Sequence, residues 1–346
     1  MLKMSVMNVR PIRPASHRRR IRTATVSLAA VLGLVALSAC SVAGGSGRTK
    51  DGKLQVVASF YPMEFLAKEI GGDHVSVTGL TKPGVEPHDL ELTPRQIGTL
   101  ADAGAIIYLK GLQPAVDAAV KQSGNRHVAD AASLTALEKH GDEVDGHEHG
   151  AHEEHEGHEA HEGHEGHDHG EEGGADPHVW LDPVKYAEVA KGVARALGEA
   201  DPDHKADFAK NADALAKRLE ALNNEFTDGL RNRASDTFIT THAAFGYLAE
   251  RYGLTEESIS GLDPESEPSA ARMKALHKLA EEHHVSTVFF ETLASPNTAK
   301  TLARDLRLKT DVLDPLEGIT GDSKGDDYFE VMESNLTALQ KALGTK

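Results

Sequence analysis

Short apolar runs alternate with amphipathic stretches along the chain from residue 53 to the end. The apolar runs are typical of buried strands, and the amphipathic stretches predict helices. In the first half the predicted strands are 54–60, 75–80 and 105–109, and the predicted helices are 61–72 and 94–103. The second half repeats the pattern, with strands 237–240, 285–290 and 310–313 and helices 243–252, 272–283, 298–306 and 328–343. This alternation predicts two α/β lobes with mainly parallel sheets.

The segment that separates the two halves has a different pattern. Its apolar residues recur at alternating spacings of four and three, which predicts one long amphipathic helix. They are Phe208, Ala212, Leu215, Leu219, Leu222, Phe226 and Leu230. A helix of this length spans on the order of 40 Å. We therefore expect a rigid helix over 203–230 that joins an N-terminal lobe, 54–202, to a C-terminal lobe, 231–346. A helix buried within one domain is the alternative.

The N-terminus is typical of an export signal. A basic region ends at Arg22, and the apolar run that follows, 24–39, is shorter than the roughly 20 residues that span a membrane. The run ends in Leu-Ser-Ala-Cys at Cys40, which resembles a lipobox. We expect a lipoprotein signal peptide over 1–39, lipidation of Cys40 and a flexible Gly/Ser tether over 40–53. The mature chain would then be held on the outer face of the cell membrane. An uncleaved helix is the alternative.

Charge is distributed very unevenly. The chain has 54 acidic and 37 basic side chains, a formal net charge of −17, which argues against nucleic acid as a partner because phosphate binding needs a basic surface. The leader, residues 1–39, contains seven basic residues and no acid, whereas residues 140–176 contain 14 acids and no Lys or Arg. The excess acid therefore belongs to one segment and does not describe the two lobes.

The acidic segment also contains half of the histidines in the chain. Six of them recur at every third position, with Glu and Gly between: His152, His155, His158, His161, His164 and His167. Repeated glycine and dense like charge disfavour a regular element, so we predict a disordered insert over about 141–174. It offers many weak imidazole and carboxylate ligands without fixed geometry. A metal-collecting or metal-sensing loop is the favoured interpretation, and a solvated linker is the alternative.

Three other histidines lie in segments that constrain the backbone. His88 stands in a loop between two prolines, His178 follows Asp-Pro beside the only tryptophan, Trp180, and His242 lies at the end of a predicted strand. Each could be a structural histidine by itself. Because Cys40 is the only cysteine, a thiolate metal site and an intrachain disulfide are both excluded. Imidazoles with one oxygen ligand would suit Zn²⁺.

Several motifs in a fixed order resemble one known family over residues 54–343. They are the lipobox, the His88 loop, the histidine-rich insert and the segments 176–183, 242–248, 267–270 and 313–318. The chain resembles the cluster A-I metal-binding lipoproteins, the zinc and manganese receptors of ABC importers. The resemblance implies two α/β lobes joined by a single long helix, with the metal held in the cleft between them.

The resemblance also implies a set of metal ligands. It carries over His88 and His178 from the first lobe and His242 from the second. The fourth position varies in the family, and we assign it to Glu317. Asp314 and Glu91 are the competing carboxylates, and some family members leave a water there.

The function implied is capture of Zn²⁺ outside the cell and its delivery to the permease of an ABC importer by a monomer. Manganese-selective relatives place a carboxylate where His242 stands, and three imidazoles with one carboxylate suit Zn²⁺ better. Four protein ligands leave no position for a reactive water, so we do not expect an enzyme. The alternatives are a manganese receptor of the same family, a secreted zinc hydrolase and a surface adhesin.

Overall fold

The computed structural model describes residues 47–141 and 175–345. The predicted signal peptide, Cys40, most of the predicted tether and the histidine tract within the predicted insert lie outside the described residues. Across the described ranges, none of the helices combines the length and the apolarity needed to cross a membrane.

The first lobe is built on a parallel sheet of four strands in the order β2-β1-β3-β4. The strands are β1 Leu54–Ala58, β2 Val75–Gly79, β3 Ala105–Tyr108 and β4 Val128–Asp130. In this register Val56 of β1 pairs with Val77 on one side and with Ala105 on the other. The central strands β1 and β3 are apolar and buried except at Gln55, as is typical of a parallel sheet that helices cover on both faces. The predicted α/β lobe with a parallel sheet is confirmed.

The first half also contains helices that the sequence analysis did not predict. Its helices are α1 Tyr61–Gly71, α2 Pro94–Asp102, α3 Pro114–Ser123 and α4 Pro183–Ala200. Both α3 and α4 were missed, as was β4. A start signal was present for α4, because Asp182 caps the helix by accepting from the backbone N–H of Val184 and Pro183 follows at the first helical position.

The predicted long helix is present as α5, Lys205–Gly229, a helix of 25 residues. Its apolar stripe is buried, including Phe208, Leu219 and Phe226. The stripe packs against α1 and α4 of the first lobe and also against the last helix of the chain. The helix is therefore part of a core that extends between the lobes, since the same apolar cluster continues into the second one.

The second lobe repeats the first, with a parallel sheet in the order β6-β5-β7-β8. Its elements are β5 Thr237–Thr240, α6 Gly246–Tyr252, β6 Thr255–Ser258, α7 Ala270–Glu282, β7 Thr287–Phe290, α8 Asn297–Leu306, β8 Lys309–Val312 and α9 Tyr328–Leu343. The edge strand β6 was not predicted, because its sequence Thr-Glu-Glu-Ser has no apolar residue. Helix α6 begins at Gly246, later than predicted, since residues 243–245 after β5 are not helical.

The two sheets place chemistry-bearing segments at the ends of their strands. His242 follows β5, Glu291 directly follows β7, and Glu317 lies on the segment after β8. The loop that carries His88 follows β2 in the first lobe. Open α/β sheets form their ligand sites at the carboxyl ends of their strands, so both lobes present polar side chains where such sites occur.

Candidate metal centre

His88, His178, His242 and Glu317 lie together, with one potential ligand atom from each within 4.8 Å of all the others. The Nε2 atoms of His88 and His178 are each 3.1 Å from Glu317 Oε1, and that of His242 is 3.4 Å away. We call these four residues the buried cluster. Three imidazole nitrogens thus surround one carboxylate.

His88 is placed by a loop that is fixed at its neighbours. Gln113, itself buried, donates from Nε2 to the carbonyl of Pro87 at 3.1 Å. The backbone N–H of His88 donates to Glu86 Oε1 at 3.1 Å. The His88 side chain is 13% exposed, the largest exposure among the four cluster members. The cluster is therefore most open to solvent on the side of this loop.

His178 is fully buried and held by Asp176. One oxygen of Asp176, Oδ1, accepts from the His178 backbone N–H at 2.9 Å and from its ring Nδ1 at 2.7 Å. The ring of Trp180 lies 5.2 Å from that of His178, and Trp180 Nε1 donates to the carbonyl of Pro315 at 2.7 Å. This bond ties the His178 segment to the segment that carries Glu317.

His242 is held by a second buried carboxylate. Its Nδ1 donates to Glu291 Oε1 at 2.9 Å, and the same oxygen accepts from Thr241 Oγ1 at 2.6 Å. The His242 carbonyl accepts from Thr240 Oγ1 at 2.9 Å. Hydrogen bonds from Nδ1 to a carboxylate fix ring orientation and leave Nε2 available to a metal ion. His178 and His242 both have this arrangement.

Glu317 is fully buried, on a segment held in an unusual conformation. Leu316 has a positive φ of 61°, which a residue with a β carbon rarely adopts. Asp314 supports this turn, because its Oδ1 accepts from the Leu316 backbone N–H at 2.8 Å and its Oδ2 accepts from Thr292 and Ser323. Asp314 therefore positions the turn and lies outside the cluster. Glu91, the other competing carboxylate, is exposed and also lies outside it.

The charges in the buried cluster stabilise one another. Burial lowers the pKa of His178, but hydrogen bonds to Asp176 and Glu317 outweigh it and raise the pKa to about 9. Burial likewise opposes the charged form of His242, and Glu291 and Glu317 together raise its pKa well above the usual value. Burial would raise the pKa of Glu317, but the three histidine rings around its Oε1 hold that pKa well below its ordinary value.

Two cluster atoms are buried without a hydrogen-bond partner among the described residues. They are His242 Nε2 and Glu317 Oε2. A buried polar atom without a partner costs free energy, roughly 1–3 kcal/mol. Both atoms belong to residues whose ligand atoms converge within 4.8 Å, so a cation bound by the cluster would give these residues a partner. Three nitrogens and a carboxylate oxygen match the donors of a tetrahedral Zn²⁺ site.

Residues 56–342 match the model of the ZnuA family, the periplasmic component A of a zinc-uptake complex. The chain belongs to this family. It is 38% identical over 322 residues to the high-affinity zinc uptake system protein ZnuA of Bacillus subtilis, an alignment that covers 92% of this chain and 97% of the relative.

Two further comparisons concern a longer relative. The chain is 36% identical over 319 residues to the zinc-binding lipoprotein AdcA of Streptococcus pneumoniae, which covers 90% of this chain. The chain spans 60% of the length of that relative. The crystal structure of Zn(II)-bound AdcA from Streptococcus pneumoniae is similar in fold, with a TM-score of 0.67 and 31% identity, and the match covers 85% of this chain and 59% of the other.

In this ZnuA-family chain the carboxylates that hold the histidines were not predicted from the sequence. Asp176 lies in the motif 176–183, but no role was predicted for it. Glu291 was not among the predicted functional residues. A signal existed for Glu291, because it directly follows the apolar strand β7. Glu86 was also missed. It lies beside the cluster, and burial and the nearby Glu317 raise its pKa to about 8.

Proposed function

We propose that the chain captures Zn²⁺ outside the cytoplasm and delivers it to the permease of an ABC importer. The observation that carries the proposal is the buried cluster, in which three imidazoles and a carboxylate converge within 4.8 Å. We assign His88, His178, His242 and Glu317 as the ligands of the transported ion. The relatives are named as a zinc uptake protein and a zinc-binding lipoprotein. These names support zinc uptake over a manganese receptor, a zinc hydrolase or an adhesin.

Capture and delivery suit this cluster better than catalysis does. A catalytic zinc site keeps a position for water, whereas four protein ligands complete a tetrahedron. The cluster draws ligands from both lobes, since His88 and His178 come from the first and His242 and Glu317 from the second. Binding the ion therefore joins the two lobes, and release requires that one set of ligands moves. We expect small motions because α5 packs along the core of both lobes.

The donor set favours zinc over manganese. Imidazole suits Zn²⁺, whereas Mn²⁺ prefers a more oxygen-rich site. Cu²⁺ would bind the same donors more tightly by the general affinity order, so selection against it rests on its availability and on the permease.

The leader and Cys40 give the proposed location. Cleavage after residue 39 and lipidation of Cys40 would anchor a monomer to the outer face of the membrane, with residues 40–53 as the tether. Metabolic labelling with a radioactive fatty acid should label the chain, and a Cys40→Ala variant should lose the label while it still binds zinc. Equal labelling of the two forms would contradict the proposed anchor.

A competition titration tests the proposed ligands. Zn²⁺ is titrated into the chain lacking residues 1–40 in the presence of a chromophoric chelator, and Mn²⁺ is titrated in parallel. We expect one tight zinc equivalent that His242→Ala removes and that the matched control His277→Ala, on α7, retains. Tighter binding of Mn²⁺ than of Zn²⁺, or retention of the tight equivalent by His242→Ala, would contradict the assignment.

Delivery is tested in cells that lack the native receptor. The chain should restore growth in zinc-depleted medium together with its permease, and His242→Ala should fail to do so although it reaches the membrane. Equal growth with the two forms would show that the cluster does not serve import.

A further inference from the structure

A second group of possible metal ligands lies outside the buried cluster. One ligand atom from each of Glu138, His140 and Glu250 lies within 4.8 Å of the others. These residues line a cleft of about 520 Å³ bounded by the segment 138–141 and by residues of α6 and β6. We call them the rim cluster. Glu138 and His140 precede the histidine tract in the sequence, and Glu250 comes from the second lobe.

One buried carboxylate orients an imidazole in each cluster. Asp176 is fully buried, and while its Oδ1 accepts from His178 Nδ1, its Oδ2 accepts from His140 Nδ1 at 2.8 Å. With Nδ1 engaged in both rings, Nε2 is the atom left for a ligand. His140 Nε2 lies 3.1 Å from Glu250 Oε2, as His178 Nε2 lies 3.1 Å from Glu317. A carboxylate behind a histidine is the usual support of a metal-binding imidazole.

The backbone around His140 is fixed independently of its ring nitrogens. The Asp176 backbone N–H donates to the Glu138 carbonyl at 2.8 Å. The hydroxyl of Tyr247 donates to the Asp176 carbonyl at 2.9 Å and accepts from the Glu138 backbone N–H at 2.8 Å. The His140 ring packs edge-on against Tyr247, and Gly246 leaves room for it, since a Cβ there would lie 2.4 Å from His140 Cβ. His140 is therefore held in place by both lobes.

The charge of the rim cluster is suited to a cation. Glu138 and Glu250 bring two carboxylates together, and Lys185 pairs with Glu138 Oε1 at 2.5 Å. Asp176 and Glu250 each pair with one nitrogen of the His140 ring, so two carboxylates face that ring directly. One imidazole with two carboxylate oxygens is a donor set that Zn²⁺ accepts.

We propose that Glu138, His140 and Glu250 form a second divalent-cation site, which binds Zn²⁺ more weakly than the buried cluster. Its three ligands lie outside the histidine tract, so the tract is not needed to build it. A cation at this site joins the two lobes at a second point, next to the place where the tract leaves the first lobe. The inference does not depend on the transport function, because it rests on the geometry of the rim cluster alone.

Anomalous diffraction at the zinc absorption edge tests the site in the full mature chain. Crystals grown with excess Zn²⁺ should show one peak in the buried cluster and a second within about 2.2 Å of His140 Nε2. The Glu250→Gln variant should lose the second peak and keep the first. A peak at the buried cluster alone, or a rim peak that survives Glu250→Gln, would overturn the inference.

A solution measurement separates the rim cluster from the tract. Residues 142–174 are removed, since the Asp176–Glu138 hydrogen bond already holds the flanking segments together. Equilibrium dialysis with metal analysis should find two zinc equivalents. Glu250→Gln should weaken only the weaker one, by at least about tenfold, while the exposed control Glu199→Gln on α4 keeps both.

Each result separates the two proposals. A single equivalent that Glu250→Gln does not affect would overturn the rim site and leave the buried cluster intact. Retention of the tight equivalent by His242→Ala, together with a weaker one that Glu250→Gln removes, would do the reverse. Glu250 is preferred to His140 for this test because it does not contact Asp176, so its replacement does not disturb the support of His178.

Discussion

The buried cluster and the rim cluster use the same ligand types and share the support of Asp176, yet they differ in burial. Side-chain exposure is at most 13% in the buried cluster, whereas His140 is 18% exposed and Glu250 is 58% exposed. Charged ligands attract a cation more strongly where water is excluded, and fixed ligands lose less conformational entropy when they bind. We therefore expect burial and the number of ligands, more than ligand type, to make the buried cluster the tighter of the two sites.

Removal of a ligand from the buried cluster should have the largest effect. His242→Ala is expected to weaken zinc binding by more than about 100-fold. Even the loss of a residue that only hydrogen-bonds to a metal ligand typically lowers metal affinity 10- to 100-fold. The rim cluster should be unaffected, since neither its ligands nor Asp176 contact His242. Competition titration measures the first effect, and dialysis of the tract-deleted chain measures the second. Equal losses of zinc affinity at both sites would show that the two clusters do not bind zinc separately.

Acid should weaken the buried cluster next most strongly. In the metal-free chain the pKa of His178 is about 9, so at pH 8 and below Zn²⁺ must displace a proton to bind. Each displaced proton makes the affinity fall about tenfold per pH unit, or about 100-fold between pH 8 and pH 6. Zinc affinity falls as the pH falls because the raised pKa of His178 favours the protonated ring, which cannot bind the metal.

A variant provides the control for this pH dependence. Glu317→Gln removes a charge that raises the pKa of both His178 and His242. Its affinity should be lower overall and should depend less on pH over the same range. An affinity of the unmodified chain that stays constant between pH 8 and pH 6 would contradict the proposed histidine ligands.

The support of His242 is expected to matter less than the ring itself. Glu291→Gln keeps the size of the side chain but replaces a charged acceptor of the His242 Nδ1 hydrogen bond. We expect zinc affinity at the buried cluster to fall about 10- to 100-fold, with no change at the rim cluster. Glu199→Gln is the matched control on an exposed helix. An unchanged affinity would show that Glu291 does not support the ligand.

The fold was largely predictable because most of its elements are amphipathic or apolar in a periodic way. The stripe of α5 from Phe208 to Phe226 is an example, and its burial follows from its spacing. The edge strand β6 was missed because it has no apolar pattern, and its strand conformation comes from pairing with β5. Helix α4 was not predicted, although Asp182 and Pro183 mark its start with a cap and a proline at the first helical position.

The sites were predictable only where residues lie in recognisable motifs. The motifs and the resemblance pointed to His88, His178 and His242, but the roles of Asp176 and Glu291 depend on distances that the sequence does not contain. The rim cluster was less accessible still. His140 and Glu250 are 110 positions apart, and Glu250 lies on a helix with no metal-binding motif around it.

Replacement of Asp176, which supports a histidine in each cluster, should have the smallest effect on zinc affinity. It is also the one replacement that should affect both clusters. Asp176→Asn retains one oxygen acceptor for two imidazoles, so one of His178 and His140 must lose its partner. We expect zinc affinity to fall about tenfold at one cluster and less at the other. This is the low end of the effect of a residue that hydrogen-bonds to a metal ligand. Dialysis of the tract-deleted chain follows both equivalents in one experiment. Glu291→Gln should affect the buried cluster alone. The two variants therefore distinguish a carboxylate that supports both clusters from one that supports a single cluster. If Asp176→Asn weakened zinc binding at neither cluster, Asp176 would not support the histidine of either one.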